Sequence, residues 1–463
     1  MAGLPVHEIA VNCSFVTPIP SAPIPSLTHG KRTVETVALT LALVIVLALF
    51  FDFTNGFHDT ANAMATPIAT GALKPRTAVL IASILNLVGA FLSTEVAKTI
   101  SGGIIKEDQI SSDLFPAIIF AGLIGAITWN MFTWLLGLPS SSSHALFGGL
   151  IGATIVGVGY MAIDFSVVMS KVILPAIIAP LTAGIIAFTA TKIAYVITRR
   201  YDTKPDGRDG FRIGQIFSSS LVALAHGTND AQKTMGVITL ALITAGWQSP
   251  DDTDPQTWVI IVCGVTIALG TYMGGWRIIR TLGKGLTDVK PAQGFSAETS
   301  TAATILSSSA LGFALSTTQV ASGSVIGSGL GRRGSIVRWR TVGRILVGWL
   351  FTLPAAGAVG AGAAFIVVSL GFWGIVLDTV IAAGIVAALF LRSRRNKVTA
   401  SNAMSEVAES GTAIKVKRNP PPTRRQRAIA REEARRLAAA EAAARKAAKS
   451  GKPSGDGTKG PER

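Results

Sequence analysis

Long apolar runs punctuated by short polar stretches set the pattern of this chain. The runs fall at Val34–Phe53, Thr77–Ala97, Leu114–Leu136, Val167–Thr198, Trp258–Trp276, Ile345–Leu370 and Phe372–Leu391. At about 1.5 Å of rise per residue, each can cross a hydrocarbon layer roughly 30 Å thick as a helix. The pattern therefore predicts an all-α polytopic membrane protein. The 48 glycines suit that class, because small residues let membrane helices approach closely.

Two polar stretches interrupt this apolar background, Asn55–Asn62 (NGFHDTAN) and Ala225–Lys233 (AHGTNDAQK). Each places an Asp three residues after a Gly, Gly56 to Asp59 and Gly227 to Asp230. A carboxylate at membrane depth costs several kcal/mol or more unless something pairs with it, so both are functional candidates. Alignment of the two stretches sets Asp59 against Asp230, His58 against Asn229 and Asn62 against Lys233.

Charge adds sidedness. Of the formal +16, most lies from Arg392 onward, where 19 Lys/Arg face 7 Asp/Glu. That tail has no aromatic residue for base stacking, which argues against nucleic acid as a partner. A basic excess beside the last apolar run marks the cytoplasmic side. Within the tail, Arg431–Ser450 is Ala/Glu/Arg-rich and predicts a helix able to lie on anionic lipid. The segment before Val34 lacks the basic start and small-residue cleavage site of a removable signal peptide. Two cysteines, Cys13 and Cys263, supply no disulfide or metal framework.

With the tail inside, the basic loops Leu73–Arg76, Arg199–Arg212, Arg277–Pro291 and Gly331–Arg344 also fall inside. Trp247–Thr257, with three Asp and no Lys or Arg, falls outside, as do Ser101–Asp113 and the N-terminus by alternation. The chain must then leave and return on one side between Asp113 and Asp164, and on the other between Gln293 and Gly331. Both stretches are Gly- and Ser-rich with a central interruption, Pro139–His144 (PSSSSH) and Ala314–Gln319 (ALSTTQ), as helical hairpins require. The order of Asp-bearing broken helix, helix, hydroxyl-tipped hairpin and helix thus occurs twice in opposite orientations. This is an inverted-topology repeat with discontinuous helices and two hairpins meeting at the bilayer midplane, the signature of a secondary transporter. The expected divisions are 1–33, an extracytoplasmic segment; 34–198, the first repeat; 199–212, a cytoplasmic loop; 213–370, the second repeat; 371–391, a final helix; and 392–463, the basic, largely disordered tail.

The hairpin tips carry Ser141, Ser142, Ser143 and Ser316, Thr317, Thr318. Hydroxyls at a half-helix N-terminus, with its free N–H groups and positive dipole end, make an oxyanion site, although such residues also cap helices with no ligand present. Asp59 and Asp230 would repel an anion unless a cation lies between, a metal–anion complex is bound, or the anion donates its own protons. Phosphate has such protons near neutral pH and sulfate has none, so an unpaired-acceptor penalty selects phosphate. Lys233 can neutralise a carboxylate or meet the anion, and His58 can carry a coupling proton. His144 and His226 are weaker candidates.

At these residues the chain resembles the PiT family of inorganic phosphate transporters. Its Gly-x-Asn-Asp-like and Pro-x-Ser-Thr-Thr-His-like elements match Gly56–Asn62, Gly227–Lys233, Pro139–His144 and Ala314–Gln319. The resemblance spans about Val34–Leu391. It implies that Asp59, Asn62, Ser141, Ser142, Ser143, Asn229, Asp230, Ser316, Thr317 and Thr318 line the phosphate and coupling-ion sites, and Lys233 is expected beside the phosphate by its charge. On their own chemistry, His58, Asp59 and Asp230 are the residues expected to handle the coupling ion, and the two Asp are the expected metal ligands if metal is carried. His58 and Lys233 replace the Asn of sodium-coupled members, and this resembles a bacterial subgroup associated with proton coupling and metal–phosphate substrates. The expectation is a proton-coupled phosphate symporter of the inner membrane, not an enzyme, with no cofactor besides a coupling cation. Sodium coupling and a magnesium–phosphate substrate stay open as alternatives. Expected partners are inorganic phosphate and the lipid bilayer, with a homodimer left open and no nucleic acid. Rival readings are a sulfate or other oxyanion permease, a cation exchanger and, least favoured, an intramembrane serine hydrolase.

Overall fold

The computed structural model describes residues 34–101, 105, 114–201, 209–395 and 398–400. The expected N-terminal segment 1–33 and the tail from residue 401, with its expected helix Arg431–Ser450, lie outside the described residues. Helix α1 covers Val34–Thr70, α2 Pro75–Ala90 and α3 Glu95–Ser101. A first hairpin pairs α4 (Phe115–Leu136) with α5 (Ser142–Gly157). The short α6 (Phe165–Val167) continues through a wide π turn, Val168–Ile173, into α7 (Leu174–Tyr201). The second half opens with α8 (Asp209–Thr244), α9 (Thr257–Met273) and α10 (Trp276–Arg280), which ends in a π turn at Thr281–Gly285. A second hairpin pairs α11 (Pro291–Ala310) with α12 (Thr317–Gly331), and α13 (Trp339–Leu370) and α14 (Phe372–Arg395) close the chain.

The halves repeat element for element: α8 matches α1, α9–α10 match α2–α3, α11–α12 match α4–α5, and α13 matches α6–α7. Among the described residues, five helices are long and apolar enough to span a membrane, and two bent pairs raise this to seven. These are the seven apolar runs. Helix α8 escapes that count because His226, Asn229, Asp230 and Lys233 dilute its apolar surface.

One expectation is corrected. The Asp-bearing helices are not the broken ones: α1 and α8 run unbroken through their motifs for 37 and 36 residues. The discontinuities lie one helix later, as bends of 66° between α2 and α3 and 58° between α9 and α10. The motif glycines serve packing instead. A methyl group on Gly56 would strike the Ile267 carbonyl oxygen, and one on Gly227 would strike that of Asn86. Each glycine therefore lets its helix touch the bent helix of the other half, α1 against α9 and α8 against α2. The hairpins repeat the device. Gly148 and Gly152 of α5 abut the backbone of α13 at Leu353 and Gly357, and Gly323 and Gly327 of α12 abut α7 at Pro180 and Gly184.

The loops form two sets at opposite ends of the bundle. In one, Lys98 lies 3.1 Å from Asp254, Ser101 donates to the Thr253 carbonyl at 3.2 Å, and Ile105 bridges Ile163. In the other, Thr287 bridges Val337, and the Arg338 N–H donates to the Leu286 carbonyl at 2.9 Å. Thr70 ties this end of α1 to the start of α8 through Gln215 at 2.7 Å. The first set holds the acidic loop and the second the basic loops. α7 reaches Tyr201 and α8 begins at Asp209, so much of the 199–212 connection is helical at its edges.

Candidate functional site

Both hairpin tips are built alike. Ser141 and Ser316 have extended backbones (φ −92°, ψ 107° and φ −82°, ψ 104°), and their hydroxyls accept from the backbone N–H three residues on, His144 at 3.1 Å and Gln319 at 3.3 Å. This is ordinary N-capping, which satisfies one of the orphan donors at each helix start. Ser142 and Thr317 thus open α5 and α12. The tips touch: Ser143 Oγ donates to the Leu315 carbonyl at 3.2 Å, and Gln319 Nε2 lies 3.4 Å from His144 Nδ1. Trp349 Nε1 holds the first tip through the Pro139 carbonyl at 3.0 Å. Asn229 holds the second, donating to Ser309 Oγ at 2.9 Å and to the Phe313 carbonyl at 3.4 Å.

Beneath the joined tips the two carboxylates converge. Asp59, Asp230 and His226 present ligand atoms that all lie within 4.8 Å of one another, and all three side chains are buried. Asp59 accepts from Ser142 Oγ at 3.0 Å and Thr318 Oγ1 at 3.0 Å. Asp230 accepts from Thr317 Oγ1 at 2.8 Å. Asn62 Nδ2 donates to Thr318 Oγ1 at 3.0 Å and Thr317 Oγ1 at 3.3 Å, joining α1 to the second tip. Each hairpin thus reaches across to an Asp, and the second tip reaches both.

Positive groups offset the acids. Lys233, fully buried, pairs with Asp230 Oδ1 and donates to the Leu315 carbonyl at 2.9 Å. His226 Nε2 stands between the carboxylates, 2.8 Å from Asp230 Oδ2 and 3.9 Å from Asp59 Oδ2. His58 Nδ1 meets Asp59 Oδ1 at 2.7 Å, and its Nε2 lies 3.3 Å from Ser140 Oγ. In the neutral imidazole, a carboxylate facing Nδ1 favours the proton there and leaves Nε2 as an acceptor toward Ser140, whose hydroxyl also meets Thr133 Oγ1 at 2.7 Å. Buried carboxylates persist only when paired and hydrogen-bonded, and these two are.

Of the residues expected here, Asp59, Asp230, Asn62, Ser142, Thr317, Thr318, His58 and Lys233 are brought together. The hydroxyls of Ser141 and Ser316 are engaged in capping, Ser143 faces the Leu315 carbonyl, and Asn229 turns to the second hairpin. His226 is central here although the sequence reading ranked it low. The available signal was its position one helical turn before Asp230, on the same face. Ser140, the first residue of the serine run, was likewise passed over. A separate cavity of about 680 Å³ between α7, α12 and α13 is apolar apart from His144, Gln319 and Trp349, and does not suit an anion.

The fold and this cluster define a class: a polytopic membrane protein of inverted repeats with hairpin tips meeting over paired acids, the architecture of a secondary transporter. Comparison with known proteins gives the family. The sequence profile of the phosphate transporter family, PHO4, matches residues 55–360. A Mycobacterium bovis protein named "Probable low-affinity inorganic phosphate transporter" is 55% identical over 363 residues, 78% of this chain and 86% of that protein. A Bacillus subtilis protein of the same name is 42% identical over 324 residues, covering 70% and 96%. A solved structure titled "The sodium-dependent phosphate transporter" shares the fold, with a TM-score of 0.64 at 23% identity over 72% of this chain and all of that one. The chain belongs to the phosphate transporter family, a family of transporters rather than enzymes.

Proposed function

We propose that this protein moves inorganic phosphate across the cell membrane by proton-coupled symport. Phosphate sits at the joined hairpin tips, between the hydroxyls of Ser142, Thr317 and Thr318 and the N–H groups that open α5 and α12. The observation that carries this reading is the convergence of Asp59 and Asp230 beneath those tips, with His226 between them and Lys233 on Asp230. Two acids beside an anion site favour an anion that brings protons to donate, which phosphate does and sulfate does not. The names of the mycobacterial and Bacillus relatives support the same substrate.

Proton coupling rests on which groups stand beside the acids. Lys233 occupies the place that Asn62 holds in the other half, and an ammonium there competes with sodium for Asp230. His58 and His226 supply exchangeable protons within hydrogen-bond reach of Asp59 and Asp230. Movement of one hairpin-bearing bundle against the other then opens the site to alternate sides. The basic loop set faces the cytoplasm, which places the N-terminus outside and the C-terminus inside.

A second reading has phosphate entering with a divalent cation. Its support is the donor set itself: Asp59, Asp230 and His226 offer two carboxylates and an imidazole with ligand atoms within 4.8 Å of one another. Carboxylate and water suit magnesium, and imidazole suits a transition metal. In this reading the metal is cargo, and Lys233 is the cation it competes with for Asp230.

Uptake of labelled phosphate into proteoliposomes separates these readings. A pH gradient, acid outside, is expected to drive accumulation with sodium absent and sulfate present in excess. Strict dependence on sodium would overturn the coupling, and competition by sulfate would overturn the substrate. Uptake that needs magnesium would select the second reading.

A further inference from the structure

Helix α1 carries a polar stripe that runs through the anion site and extends beyond it on both sides. Asp52, Asn55, Asp59, Asn62 and Thr66 follow one another at spacings of three, four, three and four residues, which places them on one face of the helix. All five are buried, none more than 7% exposed. A stripe of this length spans most of the bundle, and each end meets a second buried acid or the partner of one.

At the end toward the acidic loops, Asp52 Oδ1 accepts from Thr234 Oγ1 at 3.1 Å, while Asp52 Oδ2 and both side-chain atoms of Asn55 lack a protein partner. At the other end, Thr66 Oγ1 donates to Glu298 Oε1 at 2.5 Å. Glu298 also accepts from Gln215 Nε2 at 3.0 Å and Ser218 Oγ at 2.6 Å. It has no cationic partner among the described residues. A buried carboxyl with only hydroxyl and amide neighbours is costly as an anion and stable as an acid, so such groups mark proton routes. The surroundings accept either form. When Glu298 is protonated its O–H can donate to Ser218 Oγ, whose own proton turns to the Gln215 carbonyl at 3.3 Å.

We propose that Asp52 and Glu298 are the proton-loading carboxyls on either side of the central site, joined through it by the polar face of α1. Asp52 takes a proton from the side of the acidic loops, and Glu298 releases one toward the side of the basic loops. Each transfer moves one proton between oxygens and leaves the covalent structure unchanged. Asp52 and Thr66, the residue bonded to Glu298, lie about 10 Å on either side of Asp59 along α1, at seven residues and about 1.5 Å per residue. One buried amide stands in each gap, Asn55 or Asn62; an amide does not itself pass a proton, so each step runs through water that its polar atoms can hold.

The groups facing each station leave it free to load. Around Asp52 they are His226 and Asp230 on α8 and the buried Cys263 thiol on α9; α4 carries no ionisable residue, and α2 has only Arg76 near its start. Around Glu298, α1 brings His58 and Asp59 two turns above Thr66, and α12 brings none. Arg212 on α8 and Lys192 on α7 are both exposed, and Lys290 precedes α11 by one residue.

This inference rests on proton-coupled transport, and the test keeps the two apart. Full-length protein is reconstituted, and labelled phosphate is followed in two modes: accumulation driven by a pH gradient, and exchange with equal phosphate on both sides. Wild-type protein must accumulate phosphate on the gradient; if it does not, proton coupling fails, and this inference falls with it. Asp52→Asn and Glu298→Gln are each expected to lose at least about tenfold in accumulation while exchange stays within about threefold of wild type, since exchange needs no net proton release. Asp52→Glu and Glu298→Asp should recover part of the accumulation. Asp59→Asn, at the binding site, should lose both modes. Full accumulation in both neutral variants would overturn the proposal. So would a parallel loss of exchange, which would assign these carboxyls to binding or to folding.

Discussion

At the scale of the residue, the two central acids are not equivalent, although the repeat sets them in matching positions. Asp59 is held by hydroxyls and imidazoles, whereas Asp230 also carries the buried ammonium of Lys233. Removing one member of a buried ion pair strands the other, at a cost of about 3–5 kcal/mol. Asp230→Asn is therefore expected to lower the amount of folded protein in the membrane as well as phosphate uptake. Asp59→Asn strands no ammonium, and should abolish uptake at near-normal membrane levels. The double variant Asp230→Asn/Lys233→Met removes both charges and should restore membrane level without restoring uptake. Quantitative blotting of membranes beside uptake in the same cells checks all three. Equal membrane levels for the two single Asp variants would show that Lys233 does not depend on Asp230.

At the scale of the element, the glycine that opens each motif governs how close two helices come. A side chain at Gly227 would meet the backbone of α2 at Asn86, which no rotamer change relieves. Overpacking of this kind costs about 1–3 kcal/mol or more. Gly227→Val and Gly56→Val should each lower the midpoint of thermal unfolding in detergent by several degrees, whereas Gly362→Ala, with open space around it, should leave it unchanged. The same glycines explain where sequence reading stopped short. The seven apolar runs, the capped hairpin tips and the twofold order were legible, because hydropathy and capping are local properties. The continuity of α1 and α8 was not. A Gly followed by polar residues reads as a break, yet these side chains find partners on other helices, so the backbone has no need to unwind. The central place of His226 was half legible: its spacing from Asp230 showed in the sequence, but its approach to Asp59, on another helix more than a hundred positions away, did not.

At the scale of the whole molecule, the inverted repeat makes sidedness a test of the entire assembly. Two sets of loops sit at opposite ends, one joined by Lys98 and Asp254, the other by Thr287, Val337 and Arg338. Basic residues concentrate in the second set, so the charge-bias rule predicts that this end faces the cytoplasm. In a background lacking Cys13 and Cys263, a cysteine at the exposed position Ser249 should react with an impermeant maleimide added to intact cells. One at exposed Arg333 should react only in inside-out vesicles. The same geometry fixes the hairpins: one enters and leaves on the first side and the other on the second, so their tips approach the paired acids from opposite directions. A cysteine at Ser249 and one at Arg333 that label from the same side would break the inverted repeat. Both hairpins could not then reach Asp59 and Asp230 from opposite faces, and a single cavity with alternating access would lose its physical basis.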